Sequence, residues 1–200
     1  MPADHVAGVV LAAGASTRFG RNKLLIEIDG ETLLHRAVRR AGEAGLDPVL
    51  VVVGHEAERA MAEIADLPCR AVHNPDFAQG QNSSVRAGIA AVPADAAAAV
   101  IILADMPFVT AEMIAALVDR FRATGAPLVI SEYEGVHAPP TLYSRTLFAE
   151  LAAVEGERCG KHVVKQHRFE AERVAWPAAA LADVDVPADV ERVMPPAVTV

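Results

Sequence analysis

One loop of the sequence concentrates small residues and positive charge in a way that suits a phosphate-binding site. Residues 11–23 read LAAGASTRFGRNK, so Arg18, Arg21 and Lys23 lie within six positions of an otherwise acidic chain. Small residues let backbone N–H groups approach an anion closely, and Gly14 can adopt backbone angles that other residues rarely adopt. The cations would add charge-assisted hydrogen bonds to phosphate oxygens. The loop therefore predicts a site for a nucleoside triphosphate.

Two common phosphate motifs do not fit this loop. The Walker pattern needs four residues between its glycines and a lysine after the second, whereas five residues separate Gly14 from Gly20 and Arg21 follows. The Rossmann pattern needs a glycine where Ser16 stands. An ordinary solvated loop would account for the glycines and the serine but not for the clustered cations. We therefore favour a phosphate site of another type.

Asp105 is a candidate metal ligand. It follows the apolar run Ala99–Ala104, which predicts a buried strand with Asp105 at its carboxyl end. Mg²⁺ bound to phosphates takes one or two carboxylates and completes its shell with phosphate oxygens and water. A turn or helix cap before Pro107 is an equal alternative when Asp105 is considered alone. The cationic loop favours the metal role.

Alternation of apolar runs with amphipathic stretches predicts an α/β fold with a mostly parallel sheet and helices on both faces. The predicted strands are Val6–Ala12, Pro48–Val53, Cys69–His73 and Ala99–Ala104, with weaker ones at Leu128–Ser131 and Thr141–Tyr143. The predicted helices are Glu31–Gly45, Glu56–Ala65, Ser83–Ala91 capped by Ser83 or Ser84, and Thr110–Ala123 capped by Thr110.

Ligands of such sheets bind outside the carboxyl ends of the strands, where the strand order reverses. Three loops follow predicted strands and carry polar residues, namely Ala13–Lys23, Asn74–Ser84 and Asp105–Pro107. We expect these loops to form the ligand site together.

The first loop resembles the signature L-A-A-G-x-S-x-R-x-G-x-x-K of the MobA-like nucleotidyltransferases, and matches it at every fixed position. The segment Asn74–Ser84 is similar to the family's N-P-x-W-x-x-G-x-x-S-S, with Phe77 in place of the tryptophan. Residues 103–107 are similar to L-x-D-x-P and residues 183–189 to D-I-D-T-P-E-D. The resemblance covers most of the chain and is strongest to the molybdenum cofactor cytidylyltransferases.

The resemblance implies a three-layer α/β/α, Rossmann-like fold of the nucleotide-diphospho-sugar transferase type. It implies a transferase that moves a nucleotidyl group from a nucleoside triphosphate to a phosphorylated acceptor and releases pyrophosphate. Arg18, Lys23 and Asp105 would be catalytic, and Mg²⁺ would bind Asp105 and Asp185. The alternative for Asp185 is a structural acidic residue before a helix that begins near Pro187. The nucleotide would contact Leu11, Ala12, Ala13, Gly14, Arg18, Lys23, Asn74, Gly80, Ser83, Ser84 and Asp105.

Ala13 bears on the choice of base. In the family, alanine at this position accompanies cytidylyl transfer and glycine accompanies guanylyl transfer, which favours CTP over GTP here and molybdopterin as the acceptor. The segments Glu134–Pro140 and Glu157–Lys161 depart from the family's G-x-R-G-H-P and D-x-G-A-R. The alternatives are a transferase for a sugar phosphate or other small phosphate, a maturation chaperone that binds a molybdoenzyme apoprotein, and an NAD(P)-dependent oxidoreductase.

The composition limits the class of protein. The 200 residues are 52% hydrophobic and 22% charged, which is typical of one packed domain, taken as residues 1–193 with a tail at 194–200. A net charge of −8 and 4% aromatic residues argue against nucleic acid as a partner. The apolar runs are short and the amino terminus lacks the basic start of a signal peptide, so we expect a cytoplasmic protein without a membrane partner.

Overall fold

The computed structural model describes residues 5–16, 19–153, 160–182 and 189. The strands within these ranges are β1 (Val6–Ala12), β2 (Glu27–Ile28), β3 (Glu31–Thr32), β4 (Val49–Val53), β5 (Arg70–His73), β6 (Ala98–Leu103), β7 (Leu128–Tyr133), β8 (Val136–Ser144) and β9 (Glu172–Trp176). The α-helices are α1 (Leu33–Glu43), α2 (Ala57–Glu63), α3 (Gln81–Ala91), α4 (Ala111–Thr124), α5 (Phe148–Ala153) and α6 (Lys161–Gln166). No described helix is both long and apolar enough to cross a membrane.

The main sheet has the strand order β5-β4-β1-β6-β8-β7-β9. Strand β8 pairs antiparallel with both β6 and β7, whereas the pairs β1–β4, β1–β6, β4–β5 and β7–β9 are parallel. The mostly parallel sheet expected from the sequence is therefore confirmed. The chain runs from β1 outward to β4 and β5 and then returns to β6 on the other side of β1. The strand order thus reverses between β1 and β6.

Helices cover both faces of this sheet, as expected for a three-layer α/β/α fold. Side chains of α1, α2 and α4 pack with one face, for example Leu34, Ala60 and Leu117. Side chains of α3, α5 and α6 pack with the other face, for example Val85 and Leu151. Strands β1, β4 and β6 contribute to both cores because they are buried on both sides, which is why their sequences are continuously apolar rather than alternating.

Two helix starts test the predicted caps. Thr110 accepts a hydrogen bond from the Met113 N–H through its side chain, so the predicted cap of α4 is confirmed. The predicted cap of α3 is wrong: the helix begins at Gln81 with Gly80 as its cap residue, and Ser83 and Ser84 lie inside its first turn. A positive φ of 99° at Gly80 allows the chain to turn into the helix earlier than the serines suggest.

The predicted strands at Leu128–Ser131 and Thr141–Tyr143 are longer than expected. They form β7 and β8, which meet in a tight hairpin through Glu134 and Gly135, both at positive φ. Strand β9 was not predicted. Its five residues are all partly or fully exposed, and the strand begins with the charged Glu172 and Arg173, so it lacks the continuous apolar run that marks a buried strand. The hairpin and β9 extend the sheet beyond β6, and the hairpin forms one wall of the site described below.

Candidate active site

The three loops predicted to form a site lie at the reversal of strand order. Strands β1 and β6 are parallel neighbours, with Leu11 paired to Leu103, so the loops that follow them leave the sheet side by side. The loop after β5 reaches the same edge through the start of α3. Residues from all three loops line one cavity of about 300 Å³, called here the small cavity. Its lining residues are Leu11, Ala13, Gly14, Ser16, Lys23, Leu24, Phe77, Gly80, Gln81, Ser84, Leu103 and Asp105.

The first loop is ordered around Lys23 by local hydrogen bonds. The Lys23 N–H donates to Ser16 Oγ at 3.2 Å, and the Leu24 N–H donates to Asn22 Oδ1 at 3.1 Å. Asn22 is buried and caps the short turn Lys23–Leu25. Below the loop, Phe19 packs with Ile28 in a small apolar core of its own. These contacts fix the backbone that carries the Lys23 side chain.

Lys23 and Asp105 meet across the reversal point. Lys23 Nζ donates to Asp105 Oδ2 at 2.7 Å, with 14% and 21% of the two side chains exposed. Both side chains line the small cavity and are therefore partly desolvated but reachable by a ligand. A cation and a carboxylate in this setting offer the two charges that a metal-bound triphosphate needs: one for phosphate oxygens and one for the metal.

The start of α3 is held in place by a buried asparagine. Asn74 Nδ2 donates to Ser83 Oγ at 2.9 Å and to Ser84 Oγ at 3.0 Å, and its Oδ1 accepts from the Asp76 N–H at 3.0 Å. Ser83 Oγ also donates to the Gly80 carbonyl at 2.8 Å. Because Asn74 and Ser83 are satisfied inside the protein, they fix the helix start, and Ser84 is the hydroxyl that lines the small cavity.

The predicted site residues fall into three groups. Those that line the small cavity are Leu11, Ala13, Gly14, Lys23, Gly80, Ser84 and Asp105. Those that are buried beside it without lining it are Ala12, Asn74 and Ser83. Arg18 and Asp185 lie outside the described residues. The side chain of Ala12 belongs to the core on the opposite face of the sheet from Ala13, since neighbours along a strand point to opposite faces.

Phe77 lines the small cavity but was not among the predicted site residues. Its ring packs directly on Gly54, where an added Cβ would lie only 2.7 Å from Phe77 Cβ, and it lies 6.1 Å from the ring of His55. A side chain at position 54 would push the ring out of this place. The sequence held a signal for Phe77, because it stands at the tryptophan position of the family segment.

Arg40 was also missed. Its Nη1 donates to the Pro107 carbonyl at 2.7 Å and to the Val109 carbonyl at 2.6 Å, so α1 holds the loop that follows Asp105. Burial lowers the pKa of this half-buried guanidinium, and the neighbouring Arg36 and Arg39 lower it further. On the other side of Asp105, the Ala104 N–H donates to the Leu11 carbonyl at 3.3 Å. The backbone on either side of Asp105 is thus held in place, by contacts that no local pattern reveals.

A second cavity of about 710 Å³, called here the large cavity, adjoins the small one. Gln81 and Leu103 line both, so the two spaces meet between α3 and the end of β6. The floor is apolar and comes from the sheet, chiefly Ile101, Ile130 and Tyr143. Residues of the β7–β8 hairpin form one wall, and α6 forms the other.

Two anchors hold the walls of the large cavity. On the hairpin side, the Tyr133 hydroxyl donates to the Pro139 carbonyl at 2.9 Å. Burial raises the pKa of Tyr133 to about 12, so the hydroxyl keeps its proton at neutral pH. On the α6 side, the Gly160 N–H donates to Asn82 Oδ1 at 3.2 Å, which joins the start of α6 to the start of α3. Residues of the segment Glu134–Pro140 thus line a cavity next to the three loops, whereas most of Glu157–Lys161 lies outside the described residues.

The donor set suits a metal that takes most of its ligands from elsewhere. Among the described residues there is no group of three or more histidine, cysteine, aspartate or glutamate side chains that could enclose an ion. Asp105 nevertheless offers one carboxylate at the edge of the small cavity. This arrangement fits Mg²⁺ or a similar ion carried by a triphosphate, because such an ion needs only one or two protein carboxylates.

Comparison with known proteins identifies the family of the chain. Residues 8–172 match the MobA-like NTP transferase domain. The chain is 30% identical to the purine catabolism protein PucB of Bacillus subtilis, over 96% of this chain and 98% of that protein. It is 33% identical to a probable molybdenum cofactor guanylyltransferase of Opitutus terrae, over 78% of this chain and 76% of that protein. Other curated relatives are longer bifunctional proteins, of which the chain spans 22% to 36%.

A solved structure extends the comparison to the whole fold. Rv0371c of Mycobacterium tuberculosis, in complex with manganese, is 28% identical and superposes with a TM-score of 0.82 over 95% of this chain and 98% of that one. The fold, the loops around the small cavity and the family signature therefore point to one kind of chemistry.

Proposed function

The chain belongs to the MobA-like NTP transferase family and is a nucleotidyltransferase, and we propose that it transfers the CMP group of CTP to a molybdopterin-type acceptor. The observation that carries this proposal is the Lys23–Asp105 pair beside two adjoining cavities, one lined by the signature loop and one large enough for a second substrate. The nucleotide occupies the small cavity, and the acceptor enters the large one.

The chemistry follows from this placement. An acceptor phosphate oxygen attacks the α-phosphorus of the nucleotide in line and expels pyrophosphate. Because that oxygen is largely ionised at neutral pH, the reaction needs positioning and charge neutralisation more than a strong base. Lys23 holds phosphate oxygens, and the backbone of Ala13 and Gly14 approaches the triphosphate. Arg18, which the family signature aligns with the phosphates, completes the proposed set of catalytic residues.

Mg²⁺ is the proposed metal, with Asp105 and Asp185 as its protein ligands. When bound to the triphosphate, the ion would neutralise charge as it develops on the phosphate oxygens. Asp105 supports this assignment because it lines the small cavity and because Arg40 holds the loop that follows it. Asp185 is proposed from the family signature.

Ala13 supports the choice of CTP. Ala13 directly follows β1, and only 3% of the residue is exposed to solvent. It lines the small cavity. Its methyl group narrows the space beside the base, which disfavours a purine more than a pyrimidine. GTP is the second candidate, since glycine at this position accompanies guanylyl transfer in the family.

Pyrophosphate release tests the proposal. The protein is incubated with Mg²⁺ and each of the four nucleoside triphosphates, with molybdopterin, with a sugar phosphate or without an acceptor, and pyrophosphate is measured. NADPH oxidation is followed in a separate assay. We expect release only with molybdopterin and fastest with CTP. Release with sugar phosphates alone would identify the alternative acceptor class, nucleotide binding without release would favour a maturation chaperone for a molybdoenzyme apoprotein, and NADPH oxidation would favour an oxidoreductase.

Replacement of Ala13 tests the base. We expect Ala13→Gly to raise the ratio of GTP to CTP turnover by roughly tenfold, the size expected for one methyl group in a pocket. Ala7→Gly is the matched control, because Ala7 is also buried in the core on the same face of the sheet and lines neither cavity. A ratio that is unchanged in Ala13→Gly contradicts the role of Ala13.

A further inference from the structure

The large cavity has an unusual charge for this protein. Its described lining includes the cations Lys161, Lys165 and Arg168 and no carboxylate, although acidic residues outnumber basic ones in the chain by 26 to 18. Lys161 and Lys165 are four residues apart on one face of α6, and Arg168 follows just after that helix ends at Gln166. They therefore form a positive stripe along the α6 wall, above an apolar floor.

The two ends of this stripe lie at different distances from the small cavity. Lys161 directly follows Gly160, which is joined to Asn82 at the start of α3, where the two cavities meet. Lys165 lies one helical turn further on, roughly 6 Å along the axis, and Arg168 lies beyond it. The position of α6 is fixed, because Val163 is fully buried and a Cβ at Gly160 would lie 2.6 Å from the Tyr143 hydroxyl.

Lys165 and Arg168 form the far end of the stripe, and both line the large cavity. The Arg168 guanidinium lies 4.2 Å from the centre of the Phe169 ring, and its Nη1 donates to the Lys165 carbonyl at 3.4 Å. Within the described part of the chain, neither Lys165 nor Arg168 forms an ion pair with a carboxylate. Two neighbouring cations without a neutralising carboxylate attract an anionic ligand.

We propose that Lys165 and Arg168 form a second anion subsite for the acceptor, separate from the place where its reacting phosphate lies. The reacting phosphate must lie near Gln81 and Lys161 to reach the nucleotide, so a group held at Lys165 and Arg168 is a different part of the molecule. The acceptor class is thus a phosphate with an apolar or aromatic body and a second anionic group at its far end. The inference rests on the proposed function, because it places the acceptor in the large cavity.

Two small probes test this subsite by binding, without turnover. Phenyl phosphate carries a ring and one phosphate, and 4-carboxyphenyl phosphate adds an anionic group at the opposite end. Their dissociation constants are measured by calorimetry on the whole protein with Mg²⁺. We expect the carboxylated probe to bind roughly five- to twentyfold more tightly, as two cations near a carboxylate would produce.

A matched pair of double variants locates the effect. Lys165→Gln with Arg168→Gln removes two charges from the proposed subsite, and Arg120→Gln with Arg122→Gln removes two from the exposed surface of α4, which lines neither cavity. We expect the preference for the carboxylated probe to vanish in the first and persist in the second. Melting curves establish that both variants are folded.

Three results would overturn the subsite: equal affinity of the wild-type protein for the two probes, a preference that survives in the first double variant, or no binding of either probe. Failure of the proposed function would give a different set of results from failure of the subsite. In that case no nucleoside triphosphate releases pyrophosphate with molybdopterin, while the preference for the carboxylated probe and its loss in the first double variant can still be observed.

Discussion

Lys23 Nζ donates to Asp105 Oδ2 at 2.7 Å although the two residues are 82 positions apart in the chain. The contact exists because β1 and β6 are parallel neighbours and each residue belongs to the loop that leaves one of these strands. The pair therefore marks the point where the strand order reverses. Its two charges face the small cavity, where the triphosphate and its metal are proposed to bind.

Removal of either charge should abolish turnover without unfolding the protein. We expect Lys23→Ala and Asp105→Ala each to lower kcat by roughly 100-fold or more, the scale found when one charge-stabilising group is lost from an active site. Asp119→Ala on the exposed face of α4 is the control for loss of a carboxylate. Pyrophosphate release and melting curves are the measurements, and unaltered turnover in either variant would exclude that residue from catalysis.

Arg40 should act on turnover through the position of Asp105. Arg40→Met removes both hydrogen bonds to the Pro107 and Val109 carbonyls, so the loop after β6 loses its support from α1. We expect kcat to fall by roughly tenfold while KM for the nucleotide changes little, because the signature loop is untouched. Arg40→Lys keeps a donor at this place and should recover part of the loss. An equal effect on kcat and KM would indicate general damage to the site instead.

The ion pairs at the start of α1 should make stability depend on pH. Arg39 donates to both oxygens of Glu31, at 2.7 and 2.8 Å, and mainly this contact lowers the pKa of Glu31 to about 2 from its ordinary 4.5. A carboxyl with a lowered pKa stabilises the fold above its unfolded value and loses that contribution as pH falls toward the folded value. Glu31→Gln should thus cost about 1 kcal/mol of unfolding free energy at pH 7.

The difference between wild type and Glu31→Gln should shrink as pH falls from 4.5 toward 2, because the wild-type carboxyl then takes up its proton. Urea unfolding at pH 7 and at pH 3 measures this difference. Glu58→Gln, on the exposed side of α2, is the control. A difference that stays constant across this pH range would show that Glu31 acts by packing rather than by charge.

Two glycines in helices should respond in opposite directions to alanine. An added Cβ at Gly88 in α3 would overlap Val9 Cγ1 of β1, whereas at Gly42 in α1 nothing lies within 4 Å. Gly88→Ala should therefore destabilise the protein by about 2 kcal/mol through overpacking. Gly42→Ala should stabilise it by about 0.5 to 1 kcal/mol, because alanine restricts the unfolded chain and favours the helix. Thermal and urea unfolding of both variants measure the effect, and a stable Gly88→Ala would mean that α3 can move away from the sheet.

The sequence alone determined the core of the fold and the main loops of the site. Continuous apolar runs predicted β1, β4 and β6 because strands buried on both faces need such runs. Loops at the ends of parallel strands share one sheet edge, so Lys23 and Asp105 could be expected at one site before the strand order was known. The clustered cations and the family signature predicted a nucleotidyltransferase, and the family match confirms that prediction.

Only the tertiary structure decided which side chains support the site. The serines expected to cap α3 are instead held by Asn74 inside its first turn, and Arg40 reaches the Asp105 loop from a distant helix. The cations of α6 border the large cavity because of the antiparallel β8 and the Gly160–Asn82 contact. Local periodicity and motifs record which face of an element is buried. They do not record which distant element packs against it, and that packing sets these contacts.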